Sequence, residues 1–231
     1  MATMNPQRYV LVTGGSGGIG SALCSALAKI DIKPIIGYST NIDKAKDLAD
    51  DFGGISVHLD MNSVESLDKG VTSIVSALGV NGSLAGVVLG ASPPPDLIPF
   101  SSLEPYHFHN QFQINVVGHH FLLARLIKNV LRKNKSGTVV GISSAAVGIK
   151  GENPATGMGA YVVGKAALNS LLSVCSAEFT WLKTVVVSPT FTKTPMLDVF
   201  DSRYLELIAQ QQEISSPEDV AELISKEFID E

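Results

Sequence analysis

The segment from Arg8 to Gly20 constrains the fold more than any other part of the chain. Residues 8–13 (RYVLVT) are a short, apolar and β-branched run, which predicts a buried strand. A turn of sequence GGSGGIG follows at 14–20, and apolar residues then repeat at helical spacing up to residue 30. Glycines let the backbone approach a ligand closely, and a helix N-terminus offers free N–H groups to a pyrophosphate. We therefore expect a dinucleotide-binding βα unit here; a flexible Gly/Ser loop is the alternative, and the flanking strand and helix argue against it.

The rest of the chain alternates in the same way. Apolar runs typical of buried strands lie at 33–37, 55–59, 84–90, 138–142 and 184–187. Helical patterns lie at 41–52, 64–78, 112–133, 160–180 and 217–228. Nearly all-apolar strands that alternate with helices predict a parallel sheet covered on both faces, hence a doubly wound α/β fold. With 231 residues, no repeat and no linker, we expect a single domain over 1–231.

Charge and composition exclude several classes of partner. The net charge is −5 with no long basic run, so no nucleic-acid partner is expected. Residues 1–8 lack the pattern of a secretory signal, and no apolar run suggests a membrane span. Cys24 and Cys175 lie in apolar segments and are expected to be reduced and buried. These features predict a soluble, cytoplasmic protein. Four histidines near one helix lack a supporting carboxylate pattern, so no metal site is expected there; they are His107, His109, His119 and His120.

Tyr161 and Lys165 form the first candidate for chemistry. They are four residues apart in a helical pattern, which places their side chains on one face. A nearby ammonium favours the phenolate, so we expect Lys165 to lower the pKa of Tyr161 and to make it a general acid or base. Such a pair also arises by chance, and its weight depends on the other motifs.

Six motifs stand in a recognisable order. They are Thr13-Gly14-x-x-x-Gly18-x-Gly20, Asp60, Asn115-x-x-Gly118, Ser144, Tyr161-x-x-x-Lys165, and Pro189 with Thr194. From about Tyr9 to Met196 the chain thereby resembles the classical short-chain dehydrogenase/reductases, in outline the 3-oxoacyl-acyl-carrier-protein reductase type. The resemblance implies a Rossmann-type fold. It also implies an NAD(P)-dependent oxidoreductase that transfers a hydride between the nicotinamide and a small-molecule carbonyl or secondary alcohol.

The resemblance also implies roles for four catalytic residues. Tyr161 would exchange the proton, and Lys165 would lower its pKa and hold the nicotinamide ribose. Ser144 would bind the substrate oxygen, and Asn115 would hold a water that feeds protons toward Lys165. Cofactor contacts are implied at Gly14, Ser16, Gly18, Ile19, Gly20, Ser39, Thr40, Asp60, Met61, Ala91, Tyr161, Lys165, Pro189 and Thr194. Simpler roles remain open: Ser144 as a strand cap, Asn115 as a surface polar residue, and Asp60 as a turn residue.

The chain departs from the family pattern in several places. The segment Leu89–Ser92 (LGAS) replaces the usual Asn-Asn-Ala-Gly, which removes an asparagine that braces neighbouring strands. The loop at 145–160 is long and glycine-rich and is expected to shape the substrate site. We expect six strands, with the family's usual seventh missing. Because that strand often builds a tetramer interface, a homodimer through the helices at 112–133 and 160–180 is expected.

Cofactor and substrate preferences follow from two other segments. The end of the second strand, Gly37–Asn41, carries hydroxyl and amide groups and no carboxylate, which favours NADP over NAD. A substrate lid is expected at about 195–213, and its apolar residues suit an uncharged substrate. The alternative function is a cofactor-binding protein of the same fold with a sensing or structural role, which would not need the Tyr161–Lys165 pair.

Overall fold

The computed structural model describes residues 6–148, 151–211 and 213–229. These residues form one six-stranded parallel sheet of order β3-β2-β1-β4-β5-β6. The strands are β1 (Gln7–Thr13), β2 (Lys33–Tyr38), β3 (Ile55–His58), β4 (Gly82–Leu89), β5 (Thr138–Ile142) and β6 (Lys183–Val187). The helices α1 (Gly18–Lys29), α2 (Ile42–Asp51) and α3 (Val64–Leu78) follow the first three strands in turn. The predicted Rossmann-type doubly wound fold is confirmed, with all six strands close to their expected positions.

Helices cover both faces of the sheet because successive strand residues point to opposite sides. In β1, Leu11 belongs to the cluster under α3 and the later helices, whereas Val10 and Val12 belong to the cluster under α1. Both clusters are fully buried, which explains why the strands read as continuous apolar runs.

A long helix between β4 and β5 differs from its prediction at the N-terminus. It begins at Pro105 rather than at 112, because Glu104 caps it and proline is favoured in a first turn. Its consecutive parts are α4 (Pro105–Phe112), a π-helical turn (Gln113–Gly118), α5 (His119–Leu126), a second π-helical turn (Ile127–Leu131) and α6 (Arg132–Asn134). The first π-helical turn contains Asn115, and such turns often mark functional sites.

The last part of the chain adds three helices. They are α7 (Gly159–Glu178), α8 (Ser202–Gln211) and α9 (Pro217–Ser225). Helix α7 is long and apolar enough to cross a membrane by length and composition alone, with a mean hydropathy of 1.2, whereas the sequence suggested no such segment. Leu168 and Leu172 of α7 are nevertheless fully buried in the core cluster, so we interpret α7 as a core helix.

Candidate active site

A cleft of about 1000 Å³ opens at the carboxyl ends of the strands. Ligands of open α/β sheets bind at this edge, because the loops that follow the strands converge there. Every site residue predicted from the sequence lines this cleft except Asn115, which lies buried behind it.

The turn between β1 and α1 folds tightly on itself. Gly14 has φ +67°, and the N–H of Gly17 donates to the Gly14 carbonyl over 2.9 Å. A Cβ at Gly20 would overlap the same carbonyl oxygen, and one at Gly18 would overlap the side chain of Thr194. The first turn of α1 has no side-chain cap and no acidic residue. This part of the cleft therefore fits an anionic group such as a pyrophosphate.

Tyr161 and Ser144 meet at the other end of the cleft. Tyr161 is 8% exposed, and the Ser144 side chain faces it as a hydrogen-bonding group that lowers its pKa. Ser144 has an extended backbone, and its Oγ also accepts the Ala146 N–H at 3.2 Å. The neighbouring Ser143 is buried, and its hydroxyl has no hydrogen-bond partner among the described residues. The structure therefore brings Ser144, and not Ser143, to the tyrosine, although Ser144 also caps the short turn Ala145–Val147.

Lys165 lies below Tyr161, one turn along α7. Its Nζ is 5.8 Å from the centre of the Tyr161 ring and donates to the Ile142 carbonyl over 2.8 Å. Burial lowers the pKa of Lys165 to about 7. Burial also raises the pKa of Tyr161, and the hydrogen bond from Ser144 offsets this only in part. The expectation that Lys165 gives Tyr161 a lowered pKa is therefore not met in this structure, because desolvation of the phenolate outweighs the other effects.

Asn115 is fully buried, so the interpretation of this residue as a surface polar group is wrong. Its Nδ2 donates to the backbone carbonyl of Gln111 at 3.1 Å and to the Gln111 Oε1 at 2.9 Å. Gln111 in turn donates to the carbonyl of Pro94 at 2.9 Å, in the loop after β4. Within the described part of the chain, the Asn115 Oδ1 has no hydrogen-bond partner. Asn115 thus holds Gln111, which joins the helix to the wall of the cleft from behind.

His119 is the site residue whose role the sequence did not indicate. It is fully buried between the Thr13 hydroxyl and the Asn115 carbonyl. The available signal was the spacing of Gln111, Asn115 and His119, three polar residues at four-residue intervals on an apolar helix face. Within the described ranges, no group of three or more His, Cys, Asp or Glu side chains could hold a metal ion.

The far end of the cleft lies between β2 and β3. Ser39 and Thr40 are exposed there and line the cleft, as do Asp60 and Met61. The Asp60 carboxylate accepts the Asn62 N–H at 2.9 Å and the Asn62 side-chain amide at 3.2 Å. Asp60 therefore closes a turn and also faces the cleft, so its two interpretations are compatible.

An aromatic group forms the wall near Tyr161. Phe200 stacks on Tyr204 with ring centres 5.6 Å apart, and Phe191 meets Phe200 edge-on at 5.4 Å. Phe200 and Tyr204 lie in the segment of the turn Pro195–Val199 and α8, where the sequence predicts a lid, and Phe191 precedes that segment. Phe200 also packs against the cluster of Met158 and Tyr161. Among the described residues that line the cleft, the charged ones are Asp60, Glu152 and Lys165. The wall near Tyr161 is therefore mostly apolar.

Comparison with known proteins agrees with this site. Residues 8–204 match the short chain dehydrogenase family. Short chain aldehyde dehydrogenase 1 of Euphorbia lathyris is 30% identical over 204 residues, which are 82% of this chain and 65% of that protein. This chain thus spans less than two thirds of the Euphorbia protein. The 3-oxoacyl-acyl-carrier-protein reductase of Rickettsia prowazekii is 30% identical over 216 residues, which are 91% of this chain and 85% of that protein.

A solved structure shows the same fold. The 3-ketoacyl-(acyl-carrier-protein) reductase of Brucella melitensis, complexed with NADH, superposes with a TM-score of 0.83. It is 21% identical, and the match covers 95% of this chain and 90% of that one. Together, the family match over residues 8–204, the relatives and the site geometry show that the chain belongs to the short-chain dehydrogenase/reductases, a family of nicotinamide-dependent oxidoreductases.

Proposed function

We propose that the chain is an NADP(H)-dependent carbonyl reductase in which Tyr161 is the general acid. The observation that carries the proposal is the placement of the buried Tyr161 beside Ser144 and Lys165, in a cleft that the glycine turn also lines. When bound there, the nicotinamide supplies the hydride to the carbonyl carbon, or accepts it in the reverse direction.

The side chains near Tyr161 have separate tasks in this proposal. The raised pKa of Tyr161 keeps its proton in place at neutral pH, so the hydroxyl can donate it to the substrate oxygen. The Ser144 hydroxyl donates a second hydrogen bond to the same oxygen and stabilises the negative charge that develops there. Lys165 holds the cofactor ribose and returns a proton toward Tyr161, and the Asn115 backbone supports the path that resupplies it.

The residues that we propose to bind the cofactor lie in two groups along the cleft. Gly14, Ser16, Gly18, Ile19 and Gly20 would hold the pyrophosphate at the start of α1. Further contacts would come from Asp60, Met61, Ala91, Pro189 and Thr194, all of which line the cleft. A Kd for NADPH that is unchanged or lower in Gly20→Ala would contradict this assignment.

The preference for NADP is supported by the end of β2. Ser39 and Thr40 line the cleft with hydroxyl groups, and residues 37–41 include no carboxylate that would repel a 2′-phosphate. Asn41 caps α2 by accepting the Lys44 N–H at 3.1 Å, so a helix N-terminus begins beside these hydroxyls. We expect a kcat/KM for NADPH at least about tenfold above that for NADH. A preference for NADH would refute this part of the proposal.

The proposed substrate is an uncharged, apolar ketone or aldehyde. The aromatic wall of Phe191, Phe200 and Tyr204 would pack against it, and Glu152 at the cleft disfavours an anionic substrate. The Rickettsia relative is named for an acyl-carrier-protein substrate, but this chain has a net charge of −5 and offers no basic residue besides Lys165 among the described cleft residues. An acidic carrier protein would gain no electrostatic attraction here.

We also propose a homodimer in the cytoplasm. Valines are exposed on the helices expected at the interface: Val117 at 50%, Val163 at 42% and Val174 at 63%. Burying them against a second copy would remove apolar surface from water. The free, buried thiols of Cys24 and Cys175 suit a reducing compartment. Light scattering tests the dimer, and the mass of a monomer or a tetramer would contradict it.

One screen tests the central proposal. NADPH consumption is followed with apolar aryl ketones, quinones and 3-oxoacyl thioesters. We expect turnover with the first two classes, and Tyr161→Phe should abolish it while NADPH binding remains. Turnover that persists in Tyr161→Phe would refute the assigned acid. NADPH binding without reduction of any carbonyl would favour the alternative, a cofactor-binding protein with a sensing or structural role.

A further inference from the structure

Three buried polar side chains form a ladder along the inner face of the long helix. Gln111, Asn115 and His119 are each 0% exposed and lie one helical turn apart. Buried polar groups are costly unless they are paired, so their partners indicate which parts of the site these side chains connect. At the N-terminal end of the ladder, Gln111 donates to the Pro94 carbonyl at 2.9 Å. The C-terminal end of the ladder is the ring of His119.

The ring of His119 joins three parts of the site. Its Nε2 is 3.0 Å from the Thr13 Oγ1, and its Nδ1 is 3.3 Å from the Asn115 carbonyl oxygen. The Thr13 hydroxyl also accepts the N–H groups of Gly90 at 2.9 Å and Ala91 at 3.1 Å. One neutral imidazole thus links the end of β1, the start of the loop after β4 and the π-helical turn.

These partners fix the tautomer of the ring. The Thr13 hydroxyl can donate to either of two acceptors, the Val88 carbonyl at 3.2 Å or the His119 Nε2 at 3.0 Å. Two N–H groups already occupy both lone pairs of this hydroxyl, so an Nε2–H would find no free lone pair there and Nε2 is better satisfied as the acceptor. The Nδ1 then carries the ring proton and donates to the Asn115 carbonyl. In the other tautomer, a ring lone pair would face the Asn115 carbonyl oxygen, and the Thr13 hydroxyl would face three donors. The Thr13 proton would then be donated to the Val88 carbonyl, 3.2 Å away. Burial and the charge of Lys165 lower the pKa of His119 to about 3, so the ring stays neutral near pH 7.

Both groups that the ring holds lie next to the reaction centre. The Asn115 side chain packs against α7 at Gly164, where an added Cβ would lie 3.5 Å from its Nδ2, and Lys165 is the next residue. The glycine turn touches the loop after β4, since a Cβ on Gly14 would lie 3.1 Å from the Ala91 backbone. A small movement of either group would therefore shift the cofactor or the proton path.

We propose that His119 is a positioning residue with two separable tasks. Its Nδ1–H fixes the Asn115 carbonyl behind Lys165 for proton transfer, and its Nε2 holds the Thr13 hydroxyl that pins the loop after β4 to the cofactor turn. The first task rests on the proposed function, because it concerns catalysis. The second concerns cofactor binding alone and can be measured without a substrate.

Three substitutions separate the two tasks. His119→Phe fills the space and removes both bonds. His119→Asn keeps a short amide donor for the carbonyl four residues earlier, a geometry that Asn129 already adopts in the same helix by donating to the Arg125 carbonyl at 2.9 Å. His119→Gln is longer and places its amide oxygen near the Nε2 position, where it can accept from Thr13. His120→Phe, at the exposed neighbouring histidine, is the matched control.

The expected results form a crossed pattern. His119→Phe should lower kcat and raise the Kd for NADPH, each by about tenfold, the effect of losing one buried hydrogen bond. His119→Asn should restore kcat but not the Kd, and His119→Gln should restore the Kd but not kcat. A residue that only fills space would change both quantities together. In the free wild-type protein, the long-range proton–nitrogen NMR spectrum of the ring should show the Nδ1–H tautomer.

Several results would overturn the proposal. They are an Nε2–H tautomer in the wild type, unchanged kcat and Kd in His119→Phe, or equal defects in the Asn and Gln variants. If His119→Phe fails to fold, His119→Asn, His119→Gln and the NMR spectrum of the ring still test the proposal. If the wild type reduces no carbonyl, the proposed function fails, whereas the NADPH Kd values and the tautomer still test the second task of His119.

Discussion

Replacement of Lys165 by methionine should change how stability depends on pH. Lys165 is 2% exposed, and its Nζ donates to the Ile142 carbonyl at 2.8 Å. Burial lowers its pKa from 10.5 to about 7. Methionine fills a similar volume without a charge, so Lys165→Met removes the titration and one hydrogen bond. The loss of the hydrogen bond is a cost that does not vary with pH.

The size of the effect follows from proton linkage. Between about pH 7 and pH 10 the unfolded chain binds a proton at Lys165 that the folded chain does not, so the free energy of unfolding rises with pH. The slope approaches about 1 kcal/mol per pH unit, or roughly 2 kcal/mol from pH 7 to pH 9. For a chain of this size that corresponds to a rise in Tm of about 4–8 °C. The variant should lack this contribution, because methionine does not titrate.

Urea unfolding of the cofactor-free protein at pH 6, 7, 8 and 9 measures the difference. The wild type should gain stability relative to Lys165→Met above pH 7. Below pH 6 the plots of unfolding free energy against pH should be parallel for the two proteins, because Lys165 is charged in both the folded and the unfolded state. Groups that titrate alike in both proteins cancel in the difference. Lys165 helps to lower the pKa of His119 to about 3, but burial is the larger cause, so that ring stays neutral over this pH range in the variant as well. Lys46→Met, at an exposed site on α2, is the control. Parallel curves from pH 7 to pH 9 would refute the burial of a neutral amine at Lys165.

Three further substitutions test other parts of the site. Gly20→Ala should raise the Kd for NADPH by at least about tenfold in fluorescence titration, because its methyl would overlap the Gly14 carbonyl and open the turn; an unchanged Kd would contradict this. Ser144→Ala should lower kcat about 100-fold, whereas Ser143→Ala, whose buried hydroxyl has no partner, should stay within about twofold; equal losses would show that the wrong serine is assigned. Phe200→Ala should raise the KM for an aryl ketone about tenfold in steady-state assays, since it removes the stacked ring beside Tyr161; an unchanged KM would place the substrate elsewhere.

Much of the fold could be predicted because its signals are local. Apolar runs and the helices between them predict a parallel sheet without knowledge of any long-range contact. The glycine turn is equally local, since Gly14 and Gly20 are close in sequence and their close approach allows no side chain at Gly20. The sequence did not predict the early start of the long helix at Pro105, because its first two turns, residues 105–111, are polar and carry a weak apolar pattern.

The sequence by itself determined the sheet, the glycine turn and the placing of Tyr161 and Lys165 on one helix face, because helical spacing is a property of the segment. Only the tertiary structure decided which serine meets Tyr161, since packing buries Ser143 and leaves Ser144 beside the tyrosine. It also decided the sense of the pKa changes, because burial depends on what packs above each group. The bond between Thr13 and His119 likewise exists only because the sheet order brings β1 beside β4 and the long helix behind both. A side chain's partners across elements depend on packing, and no spacing along the chain encodes them.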